Sequence, residues 1–154
     1  MSAARSVQKI TIEVDPSTLA ISTSGSITGV IAIRTSDIVF PEAGWSDFPV
    51  VILSWWLEPV AQILAGNSKV WDCRFMDGPY SLRLEKEQND IWMLRGLYDR
   101  RTVEFTATVS LAAFLNRLLS VAQKVLRESR KRGWQNTDIK NLGSAIQNAQ
   151  RSNA

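Results

Sequence analysis

The alternation of apolar and polar positions is most informative in residues 45–65, WSDFPVVILSWWLEPVAQILA. From residue 48 onward, the polar side chains of this segment are Ser54, Glu58 and Gln62, each four residues after the last. On an α-helix this spacing makes one narrow polar stripe on an otherwise apolar surface. Such a helix must be covered on several sides, so we predict a central core helix here.

The start of this helix and a break inside it are marked in the sequence. Ser46 or Asp47 can serve as the N-cap, which places Pro49 in the first turn, where its missing N–H costs nothing. Pro59 removes a helical hydrogen bond to the carbonyl of Trp55. We therefore expect a kink or an interruption at Pro59.

Alternating segments on both sides of this helix predict antiparallel strands. Three short ones precede it, at residues 7–14, 19–23 and 27–34, and the tight turns between them indicate a meander. Four follow it, at residues 71–76, 80–85, 91–98 and 102–109, and they predict a second meander.

The last third of the chain predicts two helices. Ser110 can cap a long amphipathic helix that Gly133 ends. A second helix at 136–150 has a thin apolar stripe, so we expect it to dock loosely. The element order predicts one α+β domain over residues 1–154. In it, two antiparallel β-meanders, of three and four strands, pack on the central apolar helix and the long C-terminal amphipathic helix.

Composition removes most kinds of catalytic site. The 154 residues include no histidine and a single cysteine, Cys73. This excludes histidine-based triads, nearly all histidine-containing zinc sites and any intrachain disulfide. Cys73 alternates with Trp71 and Phe75 on an apolar strand face, which predicts a buried, inert thiol. We expect no enzymatic activity, no metal and no cofactor.

The sequence also indicates where the protein resides. Its N-terminus lacks the apolar segment of a signal peptide, and the single cysteine fits a reducing compartment. The apolar run at 48–57 is too short to cross a bilayer. We therefore expect a cytoplasmic protein without a membrane partner.

Charge is unevenly distributed along the chain. Residues 1–112 hold 10 Lys and Arg against 13 Asp and Glu, whereas residues 113–154 hold 8 against 2. A basic segment with an aromatic ring can bind phosphate groups and stack on a base. Its members are Arg127, Arg130, Lys131, Arg132 and Trp134. The commoner explanation is a helix C-terminus with dipole-complementing charges, so nucleic acid is the less favoured partner.

Six tryptophans are unusual in a chain of this length. Three of them, Trp45, Trp55 and Trp56, are expected to anchor the core. Trp71 and Trp92 lie in the second meander beside Asp72 and Asp90, and an exposed Trp flanked by acids suits a protein interface. Core packing is the commoner alternative for both rings.

Two stretches carry a resemblance to a known group of proteins. FPEAGWSDFPVVILSWWLEPV (residues 40–60) and FMDGPYSLRLEKE (residues 75–87) resemble small bacterial immunity-type and uncharacterised proteins with the pattern FPxxxWxDF, then WW, then FxDGPY. The matching positions are Phe40, Pro41, Trp45, Asp47, Phe48, Leu53, Trp55, Trp56, Phe75, Asp77, Gly78, Pro79 and Tyr80. The resemblance implies that the partner is a polymorphic toxin whose gene lies beside the gene for this protein. It identifies no residues that contact the toxin. We interpret Trp45, Ser46, Asp47, Trp55, Trp56, Asp77 and Gly78 as a structural motif.

Three functions remain open at this point. We favour a non-enzymatic immunity protein that binds and neutralises a cognate bacterial toxin; a mildly acidic body suits a basic toxin surface. The alternatives are a nucleic-acid-associated accessory protein that uses the basic 127–134 segment, and a small-ligand module with a tryptophan-lined pocket between sheet and core helix. The sequence leaves the oligomeric state open.

Overall fold

The computed structural model describes residues 6–154, which form two antiparallel sheets and four α-helices around one hydrophobic core. The strands are β1 (Thr11–Val14), β2 (Ala20–Ile21), β3 (Ile27–Arg34), β4 (Val39–Phe40), β5 (Ser46–Asp47), β6 (Val70–Arg74), β7 (Tyr80–Gln88), β8 (Ile91–Tyr98) and β9 (Thr102–Ser110). The helices are α1 (Pro49–Leu57), α2 (Val60–Leu64), α3 (Leu111–Lys131) and α4 (Thr137–Ser152). The predicted α+β class is confirmed. The predicted domain also includes residues 1–5, which lie outside the described residues.

The first sheet has β3 at its centre, and β3 pairs with each of the other four strands. The predicted order of a three-stranded meander is therefore wrong, because β1 and β2 both pair with β3 and not with each other. Ile31, Ala32 and Ile33 are successive and fully buried, which is typical of a strand covered on both faces.

The chain enters α1 differently from the prediction. Ser46 and Asp47 form β5, paired with β3, so neither residue caps the helix. The N-cap is Phe48, which has no side-chain capping bond, and Pro49 occupies the first turn as predicted. Strands β4 and β5 escaped prediction because each has only two residues and depends on β3 for its pairing.

Pro59 divides the predicted core helix into α1 and α2, as expected from its missing N–H. Helix α1 is tied to the second sheet by two indole groups. Trp56 Nε1 donates to the carbonyl of Arg74 at 2.7 Å, and Trp71 Nε1 donates to the carbonyl of Trp56 at 2.9 Å. Both rings are almost completely buried, so they fill the space between α1 and the second sheet.

The second sheet is the predicted four-stranded meander, in the order β6-β7-β8-β9. Its inner face is apolar and buried: Trp71, Cys73, Leu82, Leu84, Trp92, Leu94, Phe105, Ala107 and Val109. Trp71 meets Phe114 of α3 edge to face, with ring centroids 5.2 Å apart. This contact joins the inner face of the sheet to the apolar face of α3.

Ser110 caps α3 as predicted, and Asn136 caps α4. The Ser110 hydroxyl accepts from Ala113 N at 3.2 Å, and the Asn136 side chain accepts from Ile139 N at 2.8 Å. Helix α3 ends before Gly133, whose φ is +77°. The apolar stripe of α4 is buried and contacts α1, α2 and α3: Ile139, Leu142, Ile146 and Ala149.

Candidate functional site

Asp47 connects the two motif stretches, and this residue is 2% exposed. It accepts hydrogen bonds from Trp45 Nε1 and from Phe48 N, both at 2.9 Å. It also accepts from Asp77 N, at 3.1 Å to each carboxylate oxygen. One donor, Asp77 N, lies in the β6–β7 turn, and the other two lie just before α1. The carboxylate of Asp47 therefore connects the start of α1 with this turn.

Aromatic contacts reinforce this connection. The Tyr80 ring lies 5.3 Å from that of Trp45 and 5.5 Å from that of Phe40, centroid to centroid. Gly78 has φ +77°, and a Cβ added there would lie 3.1 Å from Trp45 Cη2. Trp45, Asp47, Asp77 and Gly78 therefore contact one another within the fold.

The structure does not form the surface expected around Trp71 and Trp92. Both rings are in the core, at 1% and 2% exposure, so the hypothesis that either is exposed for a partner is wrong. Exposed Asp72 pairs with Arg83, with 3.5 Å between the charged atoms. Asp90 accepts from Ala112 N at 2.9 Å and from the Ser110 hydroxyl, so it completes the cap of α3.

The basic 127–134 segment separates into two parts. Arg132 is held by the fold: its guanidinium donates to the carbonyls of Leu19 at 2.5 Å and Pro16 at 2.9 Å. The same side chain pairs with Glu128 at 3.0 Å and lies over the Trp134 ring, 5.0 Å from the centroid. Arg132 covers one face of the Trp134 ring, so both residues make contacts within the fold.

The remaining cations of the segment are exposed residues. Arg127, Arg130 and Lys131, together with Lys124, border an open depression of about 710 Å³. This depression also includes Pro16 and Glu128. The structure thus keeps a cationic surface on α3. Arg130 also borders a second depression that includes Lys140 and the half-buried Trp134.

A groove between α1 and α4 combines an exposed aromatic ring with polar groups. Its volume is about 340 Å³. The residues of α1 that line it are Val51, Ser54, Trp55 and the adjoining Glu58, and those of α4 are Asp138, Asn141, Ser144, Ala145 and Asn148. Both sets follow the three- and four-residue spacing of one helix face, so two helix faces form the walls. We call this feature the α1–α4 groove.

Trp55 and Trp56 are neighbours with opposite environments. Trp56 is 0% exposed, whereas Trp55 is 41% exposed at the edge of the α1–α4 groove. The prediction that Trp55 anchors the core is therefore wrong. The sequence spacing does indicate this exposure. Trp55 lies three residues before Glu58 and therefore on the same helix face as the polar stripe.

Negative charge dominates the α1–α4 groove. Glu58 is the C-cap of α1 and Asp138 lies in the first turn of α4, while no Lys or Arg lines the groove. Within residues 6–154, neither carboxylate has an ion pair. Pro59 has no N–H, so the carbonyl of Trp55 lacks its usual helical donor. The groove therefore offers acceptors and an aromatic ring to a ligand.

Two kinds of reactive group are relevant to the chemistry of the described residues, a metal-binding cluster and a reactive thiol. These residues include no group of three or more Asp, Glu or Cys side chains placed to hold a metal ion. The one thiol is buried: burial, and to a smaller extent the carboxylate of Asp72, raises the pKa of Cys73 well above its ordinary value. A thiol in this environment is a poor nucleophile because the thiolate is the reactive form.

Comparison of the chain with models of known protein families, with curated proteins and with solved structures finds no match. Among residues 6–154, none of the helices is both long enough and apolar enough to cross a membrane.

Proposed function

We propose that this protein is a non-enzymatic immunity protein that binds a cognate bacterial toxin in the cytoplasm and neutralises it. The observation that carries the proposal is the 41% exposure of Trp55 beside the α1–α4 groove. Tryptophan is the residue type most enriched among the side chains that dominate binding energy at protein interfaces. A half-exposed indole at the edge of a groove is suited to be covered by a partner.

The surroundings of Trp55 favour tight binding because they are preorganised. Its neighbour Trp56 is fixed by the hydrogen bond to the Arg74 carbonyl, and α1 is packed against the first sheet, the second sheet, α3 and α4. A ring on such a rigid helix loses little conformational entropy when a partner covers it. The class of partner, a toxin, comes from the resemblance of residues 40–60 and 75–87 to immunity-type proteins.

The proposal is tested by co-expression with the toxin candidate encoded beside the gene for this protein. We expect the wild type to restore growth and the Trp55→Ala variant to restore it at least tenfold less well, as loss of a central interface ring implies. Tyr98→Ala is the matched control, because Tyr98 is an aromatic residue of similar exposure, 44%, outside the groove. Full rescue by Trp55→Ala, or no rescue by the wild type, would contradict the proposal.

A specific observation also supports the nucleic-acid alternative. Lys124, Arg127 and Lys131 share one exposed face of α3 and border the depression described above. Such a surface would bind phosphates with an affinity that falls steeply with salt. Gel mobility of short DNA and RNA duplexes at low salt tests it, and unchanged mobility would eliminate it.

A further inference from the structure

We propose that the α1–α4 groove receives an arginine side chain from a segment of the partner protein. The guanidinium would stack on the Trp55 ring and pair with the carboxylates of Glu58 and Asp138. This inference rests on the proposed function, because it names the chemistry of the partner at the same site.

Charge is the first reason. The whole chain has a net charge of +3, yet the α1–α4 groove is lined by two carboxylates and by no cation. Since Glu58 and Asp138 have no ion pair within the described residues, their charge is available to a ligand. A cationic segment therefore complements this groove and would be repelled by the basic face of α3.

The position of Glu58 is the second reason. It occupies the C-cap of α1, where the helix dipole places partial negative charge. The dipole of α1 disfavours a carboxylate here, whereas the N-terminus of α2, which is capped by the next residue, Pro59, favours one. The carbonyl of Trp55 lacks a helical donor because residue 59 is proline. A bound guanidinium would neutralise the charge of Glu58 and supply the donor that the Trp55 carbonyl lacks.

The Trp55 ring distinguishes arginine from lysine. A planar guanidinium can stack on an indole face and still donate several hydrogen bonds in its plane, whereas an ammonium is a compact, strongly hydrated point charge. The side chains of Asn141, Ser144 and Asn148 lie along the same groove and can bond the backbone of an extended segment. The groove thus suits an arginine flanked by a short stretch of extended chain.

The test uses the full chain and synthetic peptides of six arginines, six lysines or six glutamates. Nuclear magnetic resonance reports each of the six indole N–H groups, and the resonance lost in Trp55→Phe identifies Trp55. We expect a saturable shift of the Trp55 resonance with the arginine peptide, a weaker one with the lysine peptide and none with the glutamate peptide. Equal shifts with arginine and lysine, or no saturable shift with arginine, would overturn the inference.

Variants locate the binding. The double variant Glu58→Gln, Asp138→Asn should weaken the arginine peptide at least about tenfold, as expected for loss of paired charges. The control Asp37→Asn, Glu104→Gln removes the same charge from exposed positions outside the groove and should stay within about twofold. Equal weakening by both pairs would show non-specific attraction and would overturn the inference.

Growth rescue separates this inference from the proposed function. If Glu58→Gln, Asp138→Asn rescues fully while Trp55→Ala does not, the toxin binds at the groove without an arginine, and only the inference fails. If the arginine peptide binds as described but Trp55→Ala rescues fully, the groove receives arginine while the proposed function at this site fails.

Discussion

Asp47 is buried, and hydrogen-bond donors must compensate its carboxylate for the loss of water. Three groups, Trp45 Nε1, Phe48 N and Asp77 N, donate to it, and all of them lose their partner if the carboxylate is removed. We expect Asp47→Ala to lower the free energy of unfolding by about 1–3 kcal/mol, since the donors are part-buried and lose their acceptor. Urea denaturation measures this change.

Asp47→Asn sharpens the test. The amide preserves the shape of the side chain but replaces one acceptor oxygen with an NH₂ group, which would face a donor. It should therefore destabilise the protein too, whereas exposed Asp37→Asn should change the unfolding midpoint little. A neutral effect of Asp47→Asn would mean that the three donors do not depend on the carboxylate.

Trp55 and Trp56 offer a matched pair of substitutions. Trp56→Phe removes the bond to the Arg74 carbonyl and leaves a void at a 0% exposed position, so it should cost roughly 2 kcal/mol or more. Trp55→Phe removes an indole at a 41% exposed position and should cost less than about 0.5 kcal/mol. Thermal or urea unfolding of both variants checks the contrast, and equal losses would refute the assignment of Trp55 to the surface.

At the level of elements, the sequence predicts most where a pattern is long. The strands β6–β9 and the helices α3 and α4 follow from their periodicity and caps, and the break between α1 and α2 follows from Pro59. Strands β4 and β5 are too short to show a pattern, since their pairing is decided by β3. The α1–α4 groove escaped prediction because it exists only once α4 docks beside α1, and a sequence does not reveal that docking.

The N-terminus of α3 is capped from two places in the chain. Ser110 accepts from Ala113 N, while Asp90, from the β7–β8 turn, accepts from Ala112 N and from the Ser110 hydroxyl. We expect Ser110→Ala and Asp90→Ala each to cost about 1 kcal/mol. The loss of stability in the double variant should be smaller than the sum of the two single losses by about 0.5 kcal/mol or more, because the two side chains share one hydrogen-bond network.

Ser120→Ala is the control for this cycle, since it makes the same chemical change at an exposed position of α3. It should be neutral or slightly stabilising, by up to about 0.5 kcal/mol. Strict additivity of the two cap substitutions would contradict a shared network. Asp90 would then contribute through its own bond alone.

At the scale of the whole molecule, the α3–α4 connection contacts the loops on both sides of β2. Arg132 donates to the carbonyls of Pro16 and Leu19, and Asn136 donates to the carbonyl of Gly25. These bonds join the α3–α4 connection to the loops around β2, over more than 100 residues of sequence. Part of the basic 127–134 segment therefore stabilises the fold, a role that the distribution of charge along the sequence does not indicate.

Cys73 reports on the opening of the whole molecule because it is the single cysteine and is fully buried in the second sheet. A thiol reagent should reach it only when the core opens. With a stability of 5 kcal/mol or more, labelling of the native protein should be at least about 10³-fold slower than labelling in urea. Fast labelling of the native protein at neutral pH would contradict the burial of this strand.

The same thiol makes stability depend on pH in the alkaline range. Burial raises the pKa of Cys73 well above its ordinary value, whereas in the unfolded chain a thiol ionises near about 8.5. Above that pH the unfolded state binds fewer protons than the folded state, so the free energy of unfolding falls as pH rises towards the folded pKa. Below about pH 8.5, this contribution is constant.

Urea denaturation between about pH 7 and 10 should show this decline in stability, and Cys73→Ala should reduce the decline. An identical decline in both proteins would place its origin in other groups.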